Sequence, residues 1–138
     1  MDIFIDGACS GNPGPGKAVV YIDKNQCNFI SHDVALTRKL ERTTNNKAEY
    51  YGLILALEWI ENAIEDIKNN GAKQINIYTD SKLIEGQINR GWRVNKNTAI
   101  VLKAKRKIKS VKREININIK WLPREKNEAG IMIENGMI

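Results

Sequence analysis

The chain reads as an α/β protein, a mixed sheet with helices on its faces, and three features of the pattern predict it. Residues 1–36 hold three short stretches of alternating apolar and polar residues with brief connections, the signature of an antiparallel meander. Residues 47–69 then place Leu53, Ile54, Leu57, Ile60 and Ile64 at helical spacing. Two more alternating stretches, 75–80 and 115–121, follow with helical segments between them, so the later strands join through helices. The predicted order is β-β-β-α-β-α-α-β-α.

Each element has a local reason. Residues 1–6 alternate and end in Asp6, and residues 7–16 read as a turn segment rich in glycine and proline. Residues 18–22 form the second strand and 28–36 the third. Thr43-Thr44-Asn45-Asn46 is a helix-start cluster for the long helix, and Asn69-Asn70-Gly71 stops it. The strand 75–80 again ends in an acid, Asp80, and Ser81 opens a short helix to residue 88. Gly91-Trp92 is a turn. Residues 98–111 form a basic helix with Ile100, Val101, Ala104 and Ile108 on one side; 115–121 alternate cleanly; 123–127 are a loop before a short helix or tail.

The chain has 138 residues, 42% hydrophobic and 28% charged, which suits one domain, 1–138, with one core. No apolar run approaches the roughly 20 residues that cross a bilayer. The start lacks the basic and apolar regions of a secretion signal. Lys and Arg outnumber Asp and Glu by 22 to 16 for a net charge of +6, which favours polyanions such as nucleic acid. Cys9 and Cys27 have no metal-type spacing and read as reduced thiols of a cytoplasmic protein.

Three acids stand where chemistry is expected. Asp6 and Asp80 end strands, and Glu49 lies in the first turns of the long helix. Each alone reads as a cap or a solvated strand end. Brought together they repel unless a cation neutralises them, and Mg²⁺ or Mn²⁺ prefers such oxygen ligands.

The surrounding residues resemble a known family. Asp6-Gly7-Ala8-Cys9-Ser10-Gly11-Asn12-Pro13-Gly14-Pro15-Gly16, Thr43-Thr44-Asn45-Asn46-Lys47-Ala48-Glu49, Tyr78-Thr79-Asp80-Ser81 and Trp121-Leu122-Pro123-Arg124-Glu125-Lys126-Asn127 resemble, in order, the motifs of type 1 ribonucleases H. The resemblance implies a five-stranded sheet of order 3-2-1-4-5 with its first three strands antiparallel. It implies hydrolysis of the RNA strand of RNA–DNA hybrids by two Mg²⁺ or Mn²⁺ ions, with 5′-phosphate and 3′-hydroxyl products. Asp6, Glu49 and Asp80 match the metal ligands. Cys9, Asn12, Asn45 and Asn46 match residues that touch the RNA strand, Thr44 one that holds a DNA phosphate, and Ser81 completes the third motif as a substrate-side residue. Asn12, Thr44 and Asn46 also suit turns and caps. Trp92 either packs against the DNA strand or fills the edge of the core. The stretch between Trp92 and Ile115 is too short for the basic protrusion of some bacterial relatives, and no separate amino-terminal hybrid-binding domain is expected. The lysines of the basic helix read mainly as a solvated face.

The pattern departs from the family in two places. Its fourth carboxylate, an Asp in the last helix, has no counterpart, because no Asp follows Asp80. One register puts Ile131 there and another Asn135, which keeps a carbonyl oxygen for a metal; Glu128 and Glu134 are nearby acids. The loop histidine is absent as well, with Arg124 or Glu125 in its place; His32, the only histidine, falls in the third strand. The expected protein is a cytoplasmic monomer acting on RNA–DNA hybrids. The alternative is a non-catalytic or weakly active hybrid-binding module that has lost a carboxylate.

Overall fold

The computed structural model describes residues 1–137. Its elements are β1 (Asp2–Cys9), β2 (Gly14–Ile22), β3 (Val34–Thr43), α1 (Asn45–Asn69), β4 (Gln74–Thr79), α2 (Lys82–Asn89), α3 (Thr98–Lys112), β5 (Asn116–Trp121) and α4 (Glu128–Glu134). Single 3₁₀ turns at Lys24–Gln26 and Arg124–Lys126 precede β3 and α4. The sheet order is β3-β2-β1-β4-β5, antiparallel across β3, β2 and β1 and parallel across β1, β4 and β5. Both the element order and the strand order match expectation.

The core lies between this sheet and the helices. Ile3, Ile5, Val20, Ile22, Ile75, Ile77, Ile117 and Ile119 from the strands meet Leu53, Leu57 and Ile60 of α1 and Val101, Ala104 and Ile108 of α3. Each fully buried Ile or Leu contributes roughly 1.5–3 kcal/mol relative to exposure. The small α4 rests on β1 and β2. Among the described residues, no helix is long and apolar enough to cross a membrane.

Two boundaries differ from the sequence reading. β1 does not stop at Asp6: Gly7, Ala8 and Cys9 continue the ladder opposite Ala18, Lys17 and Gly16, leaving only residues 10–13 as the turn. The third strand runs Val34–Thr43 rather than 28–36. The apolar Phe29 and Ile30 pack against the core, Phe29 stacking on Trp59 at 6.2 Å, and so mimic a strand. The true strand is a sheet edge whose Arg38, Lys39, Glu41 and Arg42 face solvent, as edge strands often do. His32 therefore lies in the bend before β3, exposed, with its ring nitrogen 3.0 Å from the Ser31 hydroxyl.

Candidate active site

β1 and β4 are parallel neighbours with Phe4 opposite Tyr78. Two residues further along the same direction come Asp6 and Asp80, so register alone sets these two acids side by side. Glu49 arrives by a close packing of α1 on β1. A Cβ on Gly7 would lie 2.2 Å from the Ala48 carbonyl carbon and 2.4 Å from the Glu49 nitrogen, and one on Gly52 would lie 2.9 Å from the Asp6 carbonyl oxygen. Only glycine at position 7 allows this approach, which delivers the first turn of α1, and with it Glu49, to Asp6. One carboxylate oxygen from each of Asp6, Glu49 and Asp80 lies within 4.8 Å of the other two.

The electrostatics follow from this crowding. Burial, and then the Asp80 charge, pushes the Asp6 carboxyl up to about 6, against the pull of Arg124. Burial pushes the Glu49 carboxyl up to about 7; a hydrogen bond with Ser81 opposes that rise, while Asp6 and Asp80 reinforce it. Ser81 also caps α2, its hydroxyl accepting from the Ile84 N–H at 3.1 Å. The donor set is all carboxylate oxygen, which suits a hard divalent cation.

Two residues that the sequence reading placed only in a loop motif organise the site from the other side. Asn127, wholly buried, donates from Nδ2 to Asp80 Oδ2 and to the Ile5 carbonyl, each at 2.9 Å. Its Oδ1 meanwhile accepts from Ala129 N–H and caps α4. Arg124 donates from Nη1 to Asp6 Oδ2 at 2.9 Å and to Asp80 Oδ2 at 3.2 Å, and from Nε to Glu134 Oε1 at 3.0 Å. Burial works against the Arg124 charge, but Asp6, Glu134 and Asp80 together hold its pKa above the usual guanidinium value.

α4 brings a further residue, Gly130, up to the acids. A Cβ there would lie 3.1 Å from Asp6 Oδ2 and 3.3 Å from Arg124 Nη1. Ile131 is one residue on, its N–H bonded to the Asn127 carbonyl. Asn135 is the exposed C-cap of α4, more than a helical turn beyond Gly130. Glu128 starts α4, and Glu134 is the acid that reaches Arg124.

Most of the expected substrate residues gather beside the acids. Cys9 Sγ lies 3.1 Å from Asn45 Oδ1 and 3.9 Å from Asn12 Oδ1, and Asn12 Oδ1 accepts from the Asn45 N–H at 3.0 Å. The first-strand turn is thereby laced to the α1 N-terminus. Thr44 caps α1 by accepting from the Lys47 N–H. Asn12, Thr44 and Asn46 share a cleft of about 400 Å³ with Arg93 and Lys96. Gln87 holds that cleft's far wall, accepting from the Tyr50 hydroxyl at 2.6 Å and donating to the Arg93 carbonyl. Trp92 lies outside this cleft. Its ring covers Gly86, where a Cβ would sit 2.1 Å from ring atoms, yet it remains 46% exposed, and it shares a second, smaller cleft with Trp121, Lys82 and Arg90.

Comparison with known proteins places this arrangement. The sequence profile of the RNase H family matches residues 1–136. The chain is 37% identical over 93 residues to a ribonuclease H of Trichodesmium erythraeum, covering 67% of this chain and 50% of that protein. It is 33% identical over 112 residues to one of Pseudoalteromonas translucida, covering 80% and 63%. The chain thus spans about half the length of the first of these curated relatives. Among solved structures, it superposes on LC11-RNase H1 in complex with RNA/DNA hybrid with a TM-score of 0.71 at 28% identity, covering 99% of each chain. RNase H1 of the archaeon Halobacterium salinarum gives 0.68 at 27%, covering 93% of this chain and 89% of that one. A profile match across nearly the full length, over the same sheet order and with three acids at the strand and helix ends, makes this chain a member of the RNase H family.

Proposed function

We propose that this chain hydrolyses the RNA strand of RNA–DNA hybrids at the Asp6–Glu49–Asp80 site, with two divalent ions, Mg²⁺ or Mn²⁺, and leaves 5′-phosphate and 3′-hydroxyl ends. The observation that carries this reading is the convergence of three carboxylates within 4.8 Å beside a rim of uncharged donors and acceptors, Cys9, Asn12 and Asn45. Family membership and a structural neighbour solved with RNA/DNA hybrid support the substrate.

The ions, when bound, supply an activated water and stabilise the departing oxygen. The protein's own groups do the rest. Asn127 fixes the Asp80 carboxylate and Ser81 orients Glu49. Amides that both donate and accept suit the 2′-hydroxyl that tells RNA from DNA, and Asn12, Asn45 and Asn46 line the side on which the RNA strand would lie. The cleft of Thr44, Asn46, Arg93 and Lys96 combines a helix N-terminus with two cations and suits a phosphate of the DNA strand. Trp92 offers an exposed aromatic face for a sugar of that strand. The protein works as a monomer in the cytoplasm.

A second reading, a hybrid-binding module with little or no cleavage, is favoured by one observation: the α4 residue that comes up to the acids is Gly130, which carries no side chain. Cleavage of an end-labelled RNA–DNA hybrid with Mg²⁺, Mn²⁺ or chelator, beside RNA–RNA and DNA–DNA duplexes, decides between them. Metal-dependent internal cuts confined to hybrid RNA, lost in Asp80→Asn, are expected. Retained hybrid binding with no cuts under either metal would establish the binding module instead.

A further inference from the structure

Arg124 Nη1 lies 2.9 Å from Asp6 Oδ2 and 3.2 Å from Asp80 Oδ2, between the two acids that β1 and β4 bring together. A divalent ion ligated to both at about 2.0–2.1 Å would claim the same space. Two features keep the guanidinium there. The first is position 130. An ideal Cβ on that residue would stand 3.3 Å from Nη1 and 3.5 Å from the guanidinium carbon, so a larger side chain pointing from it would crowd Arg124 out. Glycine leaves the seat open. The second is Glu134, one α-helical turn further along α4, whose carboxylate holds Nε at 3.0 Å while Nη1 reaches the acids. The Glu134 side chain is 59% exposed, against 1% for Asp6. Its described hydrogen bond is to the arginine, so it touches the cluster through Arg124.

We propose that Arg124 is the resident counter-cation of the three-acid site, seated there by Gly130 and clasped by Glu134, and that a divalent ion enters by displacing it. This rests on the reading of the three acids as the ion site. A planar fork that donates to three carboxylates cannot stay in place once an ion ligates two of them, because the two cations repel across a few ångströms. The strength of the clasp therefore sets the ion concentration the protein needs. Restraining Arg124 costs ion affinity, and releasing it restores that affinity.

The effect of Glu134 separates this from simple charge. An acid near a cation site raises ion affinity through its field, so removing it should weaken binding. If Glu134 acts as a clasp on a competitor, removing it should tighten binding.

The experiment is calorimetric titration of Mn²⁺, and separately Mg²⁺, into the full chain without nucleic acid, for the wild type and for Arg124→Gln, Glu134→Gln and Gly130→Ala. Thermal melts verify that each variant folds; Glu134 is exposed and serves if a variant at position 130 does not. The expected result is ion affinity about tenfold tighter in Arg124→Gln and several-fold tighter in Glu134→Gln, with Gly130→Ala, which changes no charge, moving the same way. Unchanged or weaker affinity in Glu134→Gln overturns the proposal and leaves Arg124 a charge at a distance, while the ion site stands. No ion bound by any of the four proteins overturns the ion-site reading and the proposal with it.

Discussion

Asn127 holds Asp80 through a 2.9 Å hydrogen bond while its same amide nitrogen bonds the carbonyl of Ile5, the residue before Asp6. One buried side chain thus ties the ends of β1 and β4 together from outside the sheet. Replacing it with alanine orphans the Ile5 carbonyl, frees the Asp80 carboxylate and uncaps α4. Unsatisfied buried groups cost about 1–3 kcal/mol each and a lost cap about 1. Asn127→Ala should lose roughly 2–4 kcal/mol in denaturant unfolding and reduce hybrid cleavage more than tenfold. A variant with wild-type stability and rate would show that Asp80 is held by other means.

Gly7 should tolerate no side chain. The nearest atoms to an added Cβ are α1 backbone, at 2.2–2.5 Å, and backbone cannot swing aside as a long side chain can. Gly7→Ala should therefore push α1 off β1, destabilise the protein by several kcal/mol and separate Glu49 from Asp6. Circular-dichroism melts measure the first effect and ion titration the second. An alanine variant that melts within a degree or two of wild type and binds ions normally would contradict the packing described.

The raised acids make stability depend on pH in a direction opposite to an ordinary salt-bridged carboxylate. Asp6 goes from 3.8 to about 6 and Glu49 from 4.5 to about 7. Between those values the folded chain binds more protons than the unfolded one, so in chelator these two groups make stability fall as pH rises from about 4 to about 7. The slope is at most about 1.4 kcal/mol per pH unit for each proton difference. Asp6→Asn and Glu49→Gln should each flatten that slope in urea titrations. Ion binding should strengthen across the same window as the protons leave. Equal slopes in wild type and both variants would mean that the cluster does not share this charge strain.

Trp92 presents half its surface to solvent while its ring covers Gly86. If it receives the DNA strand, Trp92→Ala should weaken hybrid affinity roughly fivefold, about 1 kcal/mol, raising KM with kcat within a factor of two. A fall in kcat at unchanged KM would place its effect on the geometry of α2 instead.

How much of this was readable beforehand depended on whether a residue acts through its own motif or through docking. Asp6, Glu49 and Asp80 were legible because each sits at a strand end or helix start in a distinctive run. The sheet order was legible through the family resemblance, while the connections alone gave a mixed sheet with helices on its faces. Gly7 was read as turn punctuation, since glycine signals turns far more often than a strand that must admit a helix backbone. Arg124 and Gly130 were opaque for a different reason. Their roles depend on the angle at which α4 meets β1, and nothing in local spacing encodes that angle. The third strand was misplaced because apolar Phe29 and Ile30 outweighed a charged edge strand in any pattern count.

The partners at the heart of the site, Asp6 and Arg124, are separated by 118 positions, and β1 lies between β2 and β4 in the sheet. During synthesis the first acid is therefore made almost a whole chain ahead of the arginine that neutralises it. A chain cut before residue 124 would keep all three acids yet lose both side chains, Arg124 and Asn127, that bridge the end of β1 to Asp80.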